Sequence, residues 1–290
     1  MRIVVVDIGG TSVKSGIIEN GVLLERRETP SDALRGGEHL MQLVQGIIKS
    51  YSDFDAIGIS TAGQVDSDAG IIRYANQNIP GYTGMRVRQM FQEVFGVPVS
   101  VENDVNAAAM GEAIFGAGKR AKDGNFLCLT YGTGIGGAVI LDGKLFKGAT
   151  YSAGEFGHII TRAGNVDRQG FYENYASTRV LLQAVQAILS EVKTGTQIFG
   201  HLAHPVVKAT VDAWIDEVLY GLASIIHVFN PSLVVLGGGI MEEVYVTEAL
   251  QTRIKTHIMP SFADVVLCPA QLGNDAGLWG MAHIASTAVL

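Results

Sequence analysis

One phrase is written twice in this chain, and it limits the fold more than any other feature. Near the start stands Val4-Val5-Val6-Asp7-Ile8-Gly9-Gly10-Thr11-Ser12-Val13. From Leu127 the chain runs Leu127-Cys128-Leu129-Thr130-Tyr131-Gly132-Thr133-Gly134-Ile135-Gly136. Each copy is an apolar run, a glycine-rich turn, a second apolar run and a tight polar step, Glu19-Asn20-Gly21 in one and Asp142-Gly143 in the other. Asn-Gly and Asp-Gly steps of this kind are hairpin signals. A glycine turn between antiparallel strands exposes a row of backbone N–H groups, and such a nest of amides binds anions. Two related halves, each offering one nest toward a shared interdomain cleft, can hold a polyphosphate from both sides.

The order of elements after each phrase repeats as well. Beyond strand-like runs at Ile3–Val6, Val13–Ile18 and Val22–Arg27, apolar spacing predicts a helix over Glu38–Tyr51, with Leu40, Leu43, Val44, Ile47 and Ile48 on one face. A strand at Ala56–Ser60, a long loop, a helix near Met85–Phe95, a strand at Val97–Val101 and a helix from about Asp104 complete a βββαβαβα order. The second half offers strands at Phe126–Thr130, Gly136–Leu141 and Lys144–Lys147, then helices near Asn174–Val192 and Thr210–Phe229. A strand at Leu233–Leu236 leads into Gly237-Gly238-Gly239. A helix near Glu242–Ile258, a strand at Val265–Cys268 and a last helix from about Asp275 close the series. The expected architecture is α/β with a duplicated βββαβαβα core, divided into an N-terminal domain, 1–116, and a C-terminal domain, 117–274.

Composition narrows the function. With 290 residues, 48% of them hydrophobic, 17% charged and a mean hydropathy of +0.26, the chain can bury a large core. A net charge of −7 and a pI near 5.5, with no Lys/Arg cluster, argue against nucleic acid as a partner. No apolar run is long enough to span a bilayer. The opening apolar run goes straight into Asp7 and a turn, unlike a secretory signal. Cys128 and Cys268 lie in strand-like runs and read as buried thiols rather than a disulfide. These features together predict a cytoplasmic protein.

Several rival readings of the glycines fail on context. Gly132-x-Gly134-x-x-Gly137 matches the dinucleotide fingerprint in form, but that motif needs a helix after it, and Ala138-Val139-Ile140-Leu141 is a strand. No G-x-x-x-x-G-K-[ST] loop is present. Two hairpins that merely turn tightly would not explain Asp7, a carboxylate at the end of an apolar strand, which calls for a partner such as a bound cation. Glu102-Asn103-Asp104 stands where the strand Val97–Val101 meets a small-residue helix. A helix N-cap explains one of these residues but not three polar side chains in a row. Ligand sites of α/β folds lie at the carboxyl ends of strands.

Five stretches carry a resemblance. Asp7-Ile8-Gly9-Gly10-Thr11 with Lys14, Glu102-Asn103-Asp104-Val105-Asn106, Gly132-Thr133-Gly134-Ile135-Gly136-Gly137, Gly154-Glu155-Phe156-Gly157-His158 and Gly237-Gly238-Gly239 together resemble the ROK family (repressors, open reading frames and sugar kinases). The likeness runs from Ile3 to Asn274-Asp275-Ala276-Gly277. It implies the two-domain actin-like ATPase (ribonuclease H-like) fold, with the last helix, 275–290, packed on the N-terminal domain. It also implies transfer of the ATP γ-phosphate to a hydroxyl of a sugar.

The resemblance assigns roles by position. Asp7, Gly9, Gly10, Thr11, Lys14, Gly132, Thr133, Gly134, Gly238 and Gly239 would hold the nucleotide, with Mg²⁺ near Asp7 through water. Lys14 reads equally as a solvated strand lysine. Asp104 would be the general base, and Gly63, Asn78, Asn103, Asp104, Glu155, His158 and Glu173 would bind the sugar. Histidine at 158 has the plain alternative of a structural role. Many relatives carry a cysteine-rich zinc stretch after that histidine; here the segment to Glu173 is short and has no cysteine, so no zinc site is expected. That departure points to β-glucoside kinases acting at the 6-hydroxyl. Glucokinase, N-acetylmannosamine kinase and fructokinase stay open, as does a sugar-sensing ROK protein without catalysis. A DNA-binding repressor is disfavoured by the charge and by a first strand at residue 3. Family members commonly form homodimers.

Overall fold

The computed structural model describes residues 1–164 and 169–289. The chain forms two compact units, one of Met1–Gly116, Lys147–Ala153 and Asn274–Leu290, the other of Ala117–Phe146 and Gly154–Gly273. The sequence pattern predicts a strand that reaches Lys147 and keeps the whole segment in the second domain; the fold instead gives Lys147–Ala153 to the first unit.

In the first unit, β1 (Arg2–Ile8), β2 (Ser12–Glu19), β3 (Val22–Pro30), β4 (Ala56–Thr61) and β7 (Val99–Asn103) form one sheet in the order β3-β2-β1-β4-β7. Strand β1 is buried on both faces, so it reads as a continuous apolar run. Its period of two splits that run. Val4, Val6 and Ile8 enter one core with Leu40, Met41, Val44 and Ile48 of α1 (Gly37–Lys49) and with Val87 and Phe91 of α2 (Val87–Phe95). Ile3 and Val5 enter another with Ala107 of α3 (Asp104–Phe115) and Leu278, Met281, Ala282 and Ala285 of α8 (Ala276–Val289).

Helices α3 and α8 approach until their backbones touch. A Cβ at Gly280 would collide with the Ala107 carbonyl, and one at Gly111 with the Ala276 carbonyl. Backbone cannot swing aside as a side chain can. Gly280→Ala is therefore expected to cost about 2–3 kcal/mol of stability, read as a lowered midpoint in thermal unfolding. An unchanged midpoint would mean that the two helices can part.

The long loop after β4 holds structure that its sequence did not announce. Strands β5 (Gln64–Asp66) and β6 (Ile71–Tyr74) make a separate hairpin. Its turn is tied down by Arg88, which donates to the carbonyls of Ser67 and Asp68 at 2.6 Å each and to that of Val99 on β7 at 3.0 Å.

The second unit repeats the order. Strands β8 (Phe126–Tyr131), β9 (Ile135–Leu141), β10 (Lys144–Leu145), β11 (Leu233–Gly237) and β12 (Val266–Pro269) run β10-β9-β8-β11-β12. One large core joins β8 and β11 to α5 (Thr178–Gln186), α6 (Pro205–Phe229) and α7 (Val244–Arg253). Three helix expectations shift. The stretch Asn174–Val192 breaks at Ser177, whose backbone is extended, into α4 (Glu173–Ala176) and α5; Trp214 donates its indole N–H to the carbonyls at the break. Helix α6 starts at Pro205, earlier than Thr210, because His204 caps it and proline suits a first turn. Helix α7 covers less than the predicted Glu242–Ile258. Among the described residues, no helix is long and apolar enough to cross a membrane.

Candidate functional site

Both glycine turns are built so that their carbonyls are tied back and their amides are left over. In the first, Gly9 N–H closes the turn on Ser12 O at 2.9 Å. Ser31 holds the carbonyls: its N–H donates to Thr11 O at 3.0 Å and its hydroxyl to Gly10 O at 2.9 Å. The N–H groups of Gly10 and Thr11 have no partner among the described residues, and both residues are exposed. In the second turn, Gly132 N–H closes on Gly134 O at 3.0 Å. Arg179 takes the carbonyls, its N–H donating to Gly132 O at 3.2 Å and its Nε to Thr133 O at 3.1 Å. Here Thr133 and Gly134 keep their N–H groups without a partner among the described residues. Adjacent free amides of this kind are an anion nest.

Strand register assembles the chemistry of the first unit. Parallel pairing sets Asp7 of β1 beside Ser60 of β4, and Ser60 beside Glu102 of β7, all at the carboxyl ends of their strands. Ser60 donates its hydroxyl to Asp7 Oδ1 at 2.7 Å. Lys14, paired with Asp7 across β1 and β2, brings its ammonium to 3.5 Å from Oδ2. Lys14 is thus a partner of Asp7 and not a freely solvated strand lysine. A side chain at position 277 would come within 3.3 Å of the Asp7 carboxylate; glycine there leaves the space open.

One residue beyond β7, the chain turns into α3. Asn103 is the N-cap, its Oδ1 accepting from the N–H groups of Val105 at 2.9 Å and Asn106 at 3.0 Å. Its amide Nδ2 donates to Gly63 O at 3.0 Å and to Asp104 Oδ1 at 2.9 Å. Gly63 has φ +99°, a conformation that favours glycine, and this aims its carbonyl at Asn103. Asp104 Oδ1 also accepts from Val105 N–H at 2.9 Å. The Asp104 carboxyl group is set deep in the protein while part of the residue still meets solvent. Burial, and then the negative charge of nearby Asp7, push its pKa up to about 7. Glu102, only 2% exposed, braces the turn from behind: its Oε1 accepts from Asn103 N–H at 2.9 Å and from Asn106 Nδ2 at 3.1 Å.

In the second unit, Glu173 Oε2 accepts from Ile135 N–H at 3.2 Å, next to the Gly132–Gly134 turn, and a Cβ at Gly157 would lie 3.0 Å from that oxygen. The Gly154–His158 loop lies tight on β9, since a Cβ at Gly154 would meet Gly137 O at 2.6 Å. Glu155 and His158 are exposed and paired, with Nδ1 3.2 Å from Oε2, and His158 meets Phe171 edge to face. Gly238, with φ +102°, closes against the carbonyl of Tyr131, where any side chain would collide, so the end of β11 rests beside the second turn. Thr178 donates to that same carbonyl at 3.0 Å. Gly239 comes next as the first residue of a short 3₁₀ turn.

Within each unit the predicted residues therefore gather, with one exception. Asn78 is exposed and donates its N–H to Asn76, and among the described residues no hydrogen bond joins it to Asn103 or Asp104. Sequence reasoning misses Ser31, Ser60 and Arg179, which act from far along the chain. Residues 165–168, part of the stretch on which the zinc expectation rests, lie outside the described residues.

Two α/β units that repeat one sheet order, each with an amide-bearing turn at the carboxyl end of its first strand, define the actin-like ATPase (ribonuclease H-like) class of fold. The chain belongs to the ROK family, whose sequence pattern matches residues 3–288. It is 33% identical to a β-glucoside kinase of Klebsiella pneumoniae, over 98% of this chain and 95% of that protein. A ROK hexokinase from Thermus thermophilus is similar in structure, with a TM-score of 0.82 and 31% identity, over 100% of this chain and 99% of the other. A ROK family glucokinase from Streptomyces griseus, solved in complex with glucose and AMPPNP, has a TM-score of 0.80 at 28% identity, over 99% of this chain and 100% of the other.

Proposed function

We propose that this chain is an ATP-dependent sugar kinase that transfers the γ-phosphate of ATP to the 6-hydroxyl of a β-glucoside. The observation that carries the reading is Asp104, a carboxylate held on the N-cap turn of α3 with its pKa near 7, in a chain that also presents two tied-back amide turns. Phosphoryl transfer to an alcohol needs a charge clamp on the phosphates and an acceptor for the hydroxyl proton. The free amides of Gly10, Thr11, Thr133 and Gly134 suit the first task. A base that titrates close to neutrality suits the second. Lys14 stands by the phosphates, and Gly238 and Gly239 border the nucleoside.

The Asp7 carboxylate, with one oxygen bonded to Ser60 and open space at Gly277, fits a hydrated divalent cation. Mg²⁺, when bound with ATP, supplies charge neutralisation of the phosphates; Asp7 would hold its water shell. Asn103, Gly63, Glu155, His158 and Glu173 would bind the sugar hydroxyls. Asn78 stays in this set by resemblance alone. The reading extends to a homodimer working in the cytoplasm.

The β-glucoside kinase and glucokinase relatives support phosphorylation of glucose or of a β-glucoside. The short stretch after His158 favours the latter. An ATP-consumption screen against cellobiose, an aryl β-glucoside, glucose, fructose and N-acetylmannosamine tests it. The expected result is the highest kcat/KM on the β-glucosides. A preference for free glucose would replace the β-glucoside assignment with glucokinase, and no turnover of any sugar would overturn the kinase reading.

A further inference from the structure

We infer that Lys147 is a positioning residue for sugar phosphorylation, acting through Glu102 on the turn that carries Asp104. The inference rests on the reading of Asp104 as the base. Glu102 is a buried carboxylate of this turn, and its Oε1 grips Asn103 before Asp104 and Asn106 after it. Its other oxygen, Oε2, lies 3.7 Å from the ammonium of Lys147. Among the described residues this is the one cation within 4.0 Å of Glu102. A carboxylate this deeply buried is costly without a counter-charge, and deleting one partner of such a pair leaves the other exposed to the full penalty.

The ammonium is itself held in place. Lys147 Nζ donates to Ser67 Oγ at 2.6 Å on the β5–β6 turn, which Arg88 fastens to β7. It also stands 3.5 Å from Asp68 Oδ1, but that carboxylate is 74% exposed, and exposed pairs contribute little. Tyr151 closes the segment by donating its hydroxyl to Asp68 at 2.9 Å. A chain therefore runs from Ser67 through Lys147 and Glu102 to Asn103 and Asp104. Losing the cation would let Glu102 turn away, and the N-cap turn would shift with it. Displacements of about 1 Å at a reacting group cost on the order of a hundredfold in rate.

The test is a double-mutant cycle on kcat for the best sugar of the screen, with Lys147→Met, Glu102→Gln, the two combined, Lys147→Arg, and Asp104→Asn alongside. Lys147→Met is expected to lower kcat at least tenfold while the KM for ATP stays near wild type, and Lys147→Arg to restore most of the rate. In the Glu102→Gln background the further change to Met is expected to have almost no effect, because a neutral amide needs no cation. A Lys147→Met rate within twofold of wild type, or effects that simply add, would overturn the inference. Should Lys147→Met not fold, the comparison of Glu102→Gln with the double variant decides alone: equal rates support the inference and a lower rate in the double variant refutes it. If Asp104→Asn were to keep ordinary activity, the base assignment itself would fall. An inactive Asp104→Asn beside a normal Lys147→Met would sink only the role of Lys147.

Discussion

Asp104→Asn is expected to lower kcat for sugar phosphorylation by roughly 10²–10⁴-fold while leaving the KM for the sugar nearly unchanged. Asparagine can still accept the Val105 N–H but cannot take up the hydroxyl proton. The wild-type rate should fall on the acid side of about pH 7, where Asp104 becomes protonated, and the residual rate of the variant should lack that limb. Stability should move the opposite way. The folded carboxyl holds its proton up to about pH 7, against an ordinary value of 3.8. Below about pH 4 both the folded and unfolded forms are protonated, and the site carries no penalty. Between these values the unfolded chain has released the proton and the folded protein has not, so stability falls as pH rises; above pH 7 the full cost of the buried anion is present. Asp104→Asn should therefore be more stable than wild type at pH 8, by about 1–2 kcal/mol after allowance for solvent at the site, with the difference vanishing near pH 4. Normal turnover, or a variant less stable at pH 8, would count against this account.

Asp7→Ala should cut turnover with Mg-ATP by roughly a hundredfold or more, with a rise in the Mg²⁺ concentration needed for half-maximal rate. The substitution removes the hydroxyl acceptor of Ser60 and the partner of Lys14 as well as the carboxylate that faces the cation. It also removes the like charge that helps hold Asp104 up, so the acid limb of the remaining activity should move to lower pH. Wild-type dependence on ATP and Mg²⁺ would exclude Asp7 from the phosphate site. An acid limb that did not move would mean that burial alone sets Asp104.

The twofold phrase and the Asn103-Asp104 step are legible in the sequence because their signals are local. A hairpin turn, an N-cap and an apolar strand each occupy a few adjacent residues. The restraints that make those turns useful are not local. Ser31 reaches back to Gly10 and Thr11, and Arg179 to Gly132 and Thr133, through strand register and helix placement that no short pattern encodes. The predicted Asn174–Val192 helix breaks because Trp214 on α6 draws on the carbonyls of Ala176 and Ser177. Lys147 reads as the end of a strand, yet β10 stops at Leu145, and Lys147–Ala153 folds with the first unit. Asn78, expected among the sugar ligands, has no hydrogen bond to Asn103 or Asp104 among the described residues.

The docking of α8 on α3 has a consequence for how a ribosome must make this molecule. The second unit has all its residues before Asn274 is translated, whereas the apolar face shared by β1, α3 and α8 stays uncovered until α8 emerges. The portion synthesised first is the portion completed last. During that interval Ile3, Val5 and Ala107 are open to chaperones and to misassociation, and shortening the chain within 276–289 would prolong the exposure indefinitely.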